Sequence, residues 1–345
     1  MLWTHCCSLV QTILRHPKAG VYRLSTSFAT QTLFFSIGAM STQSSVNVIN
    51  FAKGHPNKHL LPVQEMQEIF TKAAASSNEP FLAGSLNYPR SDPGNALLLQ
   101  ELQAFLNRHT QTQDELGELP HETTQQLPRS LHYFMTHGVS HGLDLLCASQ
   151  TCPGDVVWME NPTYFLAAGI FQSHRLQVQS LPMTEQRGVN VHRLEELLAS
   201  GSIPIPRIIY IIPTHQNPTG RVMPLQDRWK LAQLARQYGI LVLADEVYHL
   251  LDWRDDIHDG RRPARMSVID SYVGDDGQNH YNDDDGGDGD DKSRPNRGCC
   301  VSISSFTKIF APGVRCGWIE GPKFITDAVE KLGYIRSQGG CTPMV

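Results

Sequence analysis

Residues 206–246 read PRIIYIIPTHQNPTGRVMPLQDRWKLAQLARQYGILVLADE, and the pattern of this stretch decides the fold. PRIIYIIP (206–213) and ILVLADE (240–246) are short apolar runs without polar alternation, as expected of strands buried on both faces. Between them, LQDRWKLAQLARQYG (225–239) carries apolar residues at helical spacing and closes on Gly239, a common helix stop. A strand, a helix and a second strand in this order make a βαβ unit with parallel strands.

The same alternation extends outward. LHYFMT (131–136), DVVWME (155–160), RLQVQSLP (175–182), VSISSF (301–306) and RCGWIEG (315–321) read as further strands. Helices are expected at 140–149, 162–172, 191–200 and from about Lys323. The expected architecture is an α/β three-layer sandwich around a mostly parallel sheet. Ligands of such folds bind where loops leave the carboxyl ends of the strands.

Composition narrows the function. The 345 residues are 40% hydrophobic and 18% charged, with a net charge of −5, which suits a folded protein with a large core. No apolar run approaches the ~18 residues of a membrane-spanning helix. No basic stripe points to nucleic acid. Cys6–Cys7 and Cys299–Cys300 are sequence neighbours, and Cys147 and Cys152 lack a second pair at zinc-site spacing, so the eight cysteines read as reduced thiols.

Charge is unevenly spread. DDGQNHYNDDDGGDGDD (275–291) holds eight Asp and no Lys or Arg, and without it the net charge would be +3. The span of about 254–298 around it is expected to be a disordered acidic insert, with no EF-hand calcium pattern in it. From Met1 to Met66 the only acid is Glu65, while Arg15, Lys18 and Arg23 punctuate Ser, Thr, Leu and Phe. That is the composition of a transit peptide, so residues 1–45 are expected to be a mitochondrial leader or disordered; a start at Met40 would give a cytoplasmic form.

Four segments at strand ends could carry chemistry: GVSHG (138–142), THQNPTG (214–220), ADEVY (244–248) and SSFTKIFAPGVRCGW (304–318). Neither G-x-G-x-x-G nor G-x-x-x-x-G-K-[ST] occurs at any strand end. Lys308 is flanked by Phe306, Ile309 and Phe310, which predicts partial burial, a lowered pKa and an amine able to attack carbonyls. Asp245 ends an apolar strand and needs a partner: a protonated ring nitrogen, a buried Arg, or a helix end to cap. Asn217 is a turn residue or a ligand, and Tyr248 a core residue or a ligand. Ser305 and Arg315 could bind a phosphate, and Val139 and Ser140 open a helix after a Gly turn, where backbone N–H groups attract anions. GVSHG also fits the nucleophile elbow of a serine hydrolase, with Ser140 as nucleophile, Asp245 as orienting acid and His249 or His258 as base. That reading leaves THQNPTG and SSFTKIFAPGVR without a task.

From about Val46 to the last residue, these motifs resemble the fold type I, pyridoxal-phosphate-dependent class I/II aminotransferases. NPTG, then ADEVY, then SFTK-x6-R occur in the family's order. NYPRSDPGNALLLQELQAFL (87–106) and PGDVVWMENPTYF (153–165) add to the likeness. The resemblance implies that Lys308 holds pyridoxal 5′-phosphate as an internal aldimine and acts as the base at Cα. It implies that Asp245 pairs with the pyridine nitrogen and that Asn217 and Tyr248 donate to the phenolic oxygen. Tyr164 would stack on the ring, and Val139, Ser140, Ser305 and Arg315 would hold the phosphate. Tyr88 would reach the phosphate of a neighbouring subunit, which implies a homodimer. The implied activity is transamination between an L-amino acid and a 2-oxo acid, with aromatic, 2-aminoadipate or branched-chain donors. A lyase of the same fold, or an impaired cofactor-binding protein, are the alternatives. The implied organisation is an N-terminal arm with part of the small domain at 46–95, a large domain at 96–321, and the start of a truncated small domain at 322–345. Before Val345 no motif supplies the Arg that binds the substrate carboxylate.

Overall fold

The computed structural model describes residues 56–75, 83–84, 86–88, 93–109, 129–186, 188–251, 264–273 and 298–341. The chain divides into two compact units, Met1–Asn57 and Lys58–Val345, and the fold that follows is that of the second. The leader-like residues 1–45 and the Asp-rich stretch 275–291 lie outside the described residues.

Strands β1 (His132–Thr136), β2 (Val156–Met159), β3 (Gln177–Ser180), β6 (Ile208–Ile211), β7 (Leu241–Asp245), β8 (Cys299–Ser305) and β9 (Gly317–Gly321) form one sheet in the order β1-β9-β8-β7-β6-β2-β3. β9 runs antiparallel to both its neighbours, and every other pairing is parallel. The sheet is therefore the mostly parallel one the sequence predicts. A two-stranded ribbon, β4 (Met183–Thr184) with β5 (Gly188–Val189), stands apart from it.

Alternating side chains of the buried strands sort into two cores, because successive residues of a strand face opposite sides. Ile209, Ile211, Val242, Ala244 and Cys300 point to one side. There they meet helices α5 (Val191–Ala199) and α6 (Leu225–Tyr238) through Leu194, Leu198, Leu231 and Leu234. Ile208, Tyr210, Leu241, Leu243, Val301 and Ile303 point to the other. Helices α3 (Val139–Gln150), α4 (Phe165–Ser173) and α8 (Lys323–Glu330) cover that side with Leu143, Leu146, Phe171, Ile325 and Val329. Each such side chain contributes about 1.5–3 kcal/mol by leaving water. A smaller cluster joins Leu102 and Leu106 of α2 (Ala96–His109) to Met135, Cys316 and Trp318. The amphipathic α1 (Val63–Ala73) buries none of its residues.

One expectation is corrected. The span 254–298, expected to be without structure, contains helix α7 (Met266–Tyr272), six of whose seven residues are buried. Met266, Val268 and Ile269 enter the same core as α5 and α6. Ion pairs tie this segment down: Arg236 grips Asp270 at 2.8 Å, and Arg265 meets Glu320 of β9 through two bonds of 3.0 Å. Fully buried Arg228 donates to the carbonyls of Met223, Ala264 and Pro213 and stands 3.7 Å from Glu246. Composition hid the helix, because a seven-residue element is outweighed by the flanking acids when the span is read as a whole.

Candidate active site

The sheet order brings distant segments to one edge. β1, β2, β6, β7 and β8 all point their carboxyl ends the same way, and β9 begins there because it runs in reverse. The expected residues follow: Val139 and Ser140 after β1, Tyr164 after β2, Asn217 after β6, Asp245 and Tyr248 at the end of β7, Ser305 and Lys308 at the end of β8, and Arg315 ahead of β9.

Asp245 is at the centre. It is the last residue of β7 and 4% exposed. Tyr210 of β6 donates its hydroxyl to Oδ2 at 3.0 Å, and the Val247 N–H approaches Oδ1 at 3.4 Å. Burial lifts the carboxyl to about 6, against the pull of both hydrogen bonds and of the Lys308 charge, while Glu246 adds to the rise. Among the described residues no cation pairs directly with it. A buried acid held this way suits a protonated ring nitrogen, the partner that would restore its charge.

Two phenols flank it. Tyr164 caps α4, and its pKa is raised by burial and by Asp245, with Arg315 working in the other direction. Tyr248 is half-buried; burial, Asp245 and Tyr164 raise its pKa, and a hydrogen bond from Asn217 lowers it. The Asp245 charge thus reaches both phenols, Lys308 acts on Asp245, and Asn217 bonds Tyr248.

The β1–α3 turn and Arg315 form a second cluster. Gly138 precedes α3 at φ 90°, and no side chain caps the helix. Arg315, itself left-handed at φ 54°, donates to the His137 carbonyl at 2.7 Å and to Pro312 at 3.3 Å. Its guanidinium is so close that a Cβ at Gly138 would lie 2.6 Å from Nη2. An exposed helix start beside a guanidinium is a place for a phosphate. Ser305, 1% exposed, donates to the Cys316 carbonyl at 2.8 Å, shares a 2.7 Å hydroxyl–hydroxyl bond with Thr307, and accepts from the Thr307 N–H at 3.1 Å. A phosphate contact by Ser305 would require giving up one of these bonds.

The expectation that Lys308 is partly buried is corrected: the residue is exposed. Its apolar neighbours Phe306, Ile309 and Phe310 turn into a groove with Phe105 and Leu251 that Lys308 does not line. Tyr88 is 75% exposed, and its N–H donates to Asn87 Oδ1 at 2.8 Å. The hydrolase arrangement is not assembled. Ser140 sits exposed on α3, Asp245 is bound to Tyr210 and Val247, and buried His249 packs beside Glu246; His258 lies outside the described residues.

Sequence reading missed Tyr210, Glu160, Gln216 and Thr307. For Tyr210 a signal existed: a phenol inside the run IIYII must find a partner for its hydroxyl.

A family model described as aminotransferase class I and II matches residues 98–334. The chain belongs to this family. Aminotransferases of class I and II use pyridoxal phosphate, and the residues above fit it: a buried acid for its nitrogen, an uncapped helix start with Arg315 for its phosphate, and an exposed lysine after β8 for its aldehyde. An aromatic amino acid aminotransferase of Schizosaccharomyces pombe is 24% identical over 321 residues, covering 88% of this chain and 64% of that protein. Aromatic-amino-acid aminotransferase 1 of Thermococcus litoralis is 30% identical over 195 residues, covering 55% of this chain and 39% of that one. The Pyrococcus horikoshii kynurenine aminotransferase, solved in complex with PMP, shares the fold with a TM-score of 0.63 at 24% identity, covering 90% of this chain and 67% of that one. The chain spans less than two thirds of the length of the first curated relatives it matches. Among the described residues no helix is long and apolar enough to cross a membrane.

Proposed function

We propose that this chain carries the cofactor site of a transaminase that moves an amino group between an L-amino acid and a 2-oxo acid. One observation carries the reading: Asp245, Asn217 with Tyr248, and Lys308 all lie at the carboxyl ends of neighbouring strands, with Asp245 acting on Tyr248 and Lys308 on Asp245. Pyridoxal 5′-phosphate, when bound, supplies the electron-withdrawing ring that makes the substrate's α-proton removable. Lys308 would hold the cofactor's aldehyde carbon through its amine and would be the base for the substrate's α-proton; its exposure leaves the amine free for both tasks. Asp245 keeps a proton on the ring nitrogen, and Tyr210 holds its carboxylate in place. Asn217 and Tyr248 direct hydrogen bonds at the phenolic oxygen, and Tyr164 covers one ring face. Val139, Ser140 and Arg315 bind the phosphate, with Ser305 shaping the turn beneath. Tyr88 completes the site of a second copy in a homodimer. The names of the curated relatives favour an aromatic amino donor.

The test is direct. Borohydride reduction of the chain with pyridoxal 5′-phosphate should fix the cofactor on the peptide containing Lys308. Lys308→Ala should abolish amino-group transfer from phenylalanine to 2-oxoglutarate while leaving the circular dichroism spectrum unchanged. Label elsewhere, or transfer by the variant, overturns the reading.

A further inference from the structure

Behind the site, a buried pair of polar side chains joins two loops that sequence and family motif treat separately. Glu160 directly follows β2 and is 5% exposed. Its Oε2 accepts from the Ile212 N–H at 2.8 Å and from Gln216 Nε2 at 3.4 Å. Gln216, 4% exposed, uses the same amide nitrogen to donate to the Pro162 carbonyl at 2.7 Å. Its Oε1 accepts from the Thr219 N–H at 2.9 Å and the Thr219 hydroxyl at 2.7 Å. Its main chain closes the turn as well, taking the Gly220 N–H at 2.6 Å and donating to Arg221 at 2.8 Å. One side chain therefore satisfies partners in both loops, and every polar atom of its amide is used.

The position of this hub matters. Pro162 lies two residues before Tyr164, and Gln216 lies one before Asn217, whose amide reaches Tyr248. Loop segments without such ties drift on their own, and buried polar networks fix geometry when all members are satisfied. We propose that Glu160 and Gln216 are positioning residues that lock the Tyr164 loop to the Asn217 loop, so that the stacking residue and the phenolic-oxygen donor are set as one unit. Neither touches the cofactor; both act through Tyr164 and Asn217. The inference rests on the pyridoxal-phosphate reading and adds to it which residues hold the ring-contacting groups in register.

The experiment uses the full chain reconstituted with pyridoxal 5′-phosphate, following the pH midpoint of its visible absorption and the dissociation constant for the cofactor. Glu160→Ala and Gln216→Ala should each weaken binding about tenfold, the equivalent of one buried hydrogen bond lost. Each should move the midpoint by roughly half a pH unit or more, because Asn217 and Tyr248 no longer meet the phenolic oxygen in fixed geometry. Glu160→Gln keeps an acceptor oxygen for Ile212 and Gln216 and should restore both readouts. Thr219→Val removes one bond of the hub from a half-buried position and should shift the midpoint in the same direction, which keeps the test sound if an alanine variant does not fold. Folded alanine variants with the wild-type midpoint and affinity overturn the clamp alone. A wild-type chain that develops no visible band overturns the Lys308 reading beneath it.

Discussion

The Tyr210 hydroxyl donates to Asp245 Oδ2 at 3.0 Å across the β6–β7 pairing, and both residues are buried. Tyr210 sits one strand away from the acid it serves, and burial together with the Asp245 charge lifts its own pKa far above the usual phenol range. The phenol is thus a permanent donor. It opposes the rise in the Asp245 pKa that burial causes, which favours the charged form needed opposite a protonated ring nitrogen.

Tyr210→Phe should leave the fold intact and slow transamination about tenfold or more, since a hydrogen bond to a buried charge is worth about 1.5–3 kcal/mol. The pH profile should shift upward with it, because Asp245 loses a bond that stabilises its anion. Single-turnover rates across pH check this; an unchanged profile removes Tyr210 from the mechanism.

Asp245→Asn should separate stability from activity. At pH 7.5 the wild-type carboxyl, with its pKa raised to about 6, is ionised in a buried position. The isosteric amide carries no such penalty and still accepts from Tyr210. The cofactor-free variant is expected to be more stable by about 1–3 kcal/mol in urea unfolding, while turnover falls by about a hundredfold or more.

Glu160 gives a pH signature of its own. Burial lifts its carboxyl from 4.5 to about 7 in the folded chain. Below about 4.5 it is protonated in both states; between there and 7 only the unfolded chain releases the proton, so rising pH favours unfolding across that window. The loss amounts to an order of 3 kcal/mol and is complete above 7. Glu160→Gln abolishes it. In cofactor-free unfolding from pH 4.5 to 7.5, stability relative to wild type should rise in the variant; a constant difference contradicts the burial argument.

Gly138→Ala should strike the phosphate cluster. The added methyl would lie 2.6 Å from Arg315 Nη2 on a backbone at φ 90°. Stability should fall by about 1–3 kcal/mol, as the guanidinium is displaced from the His137 carbonyl. Affinity for pyridoxal 5′-phosphate should drop more than affinity for unphosphorylated pyridoxal; equal losses for the two would place the phosphate elsewhere.

Much of this was readable in the chain. The runs IIYII and ILVLAD have no polar face because each strand is covered on both sides, and Asp245 stands out as the charge at the end of one of them. NPTG, ADEVY and SFTK mark the strand ends themselves. What escaped reading depends on the third dimension. Flanking Phe306 and Phe310 suggested a buried Lys308, yet a turn sends neighbours in opposite directions. Gln216 looks like any loop amide until Pro162, far off in sequence, is brought beside it. Helix α7 shows its place only once Arg236 is seen gripping Asp270, and Arg265 at its N-cap gripping Glu320.

That grip has a practical side. The chain leaves α7 at Val273, buried against the same core, and re-enters at Gly298, where any side chain would collide with the Ala235 carbonyl of α6. Both exits are seated against the core. Length polymorphism or an engineered graft in that interval, a fluorescent reporter for instance, can be absorbed without moving the register of β8 or the lysine it presents.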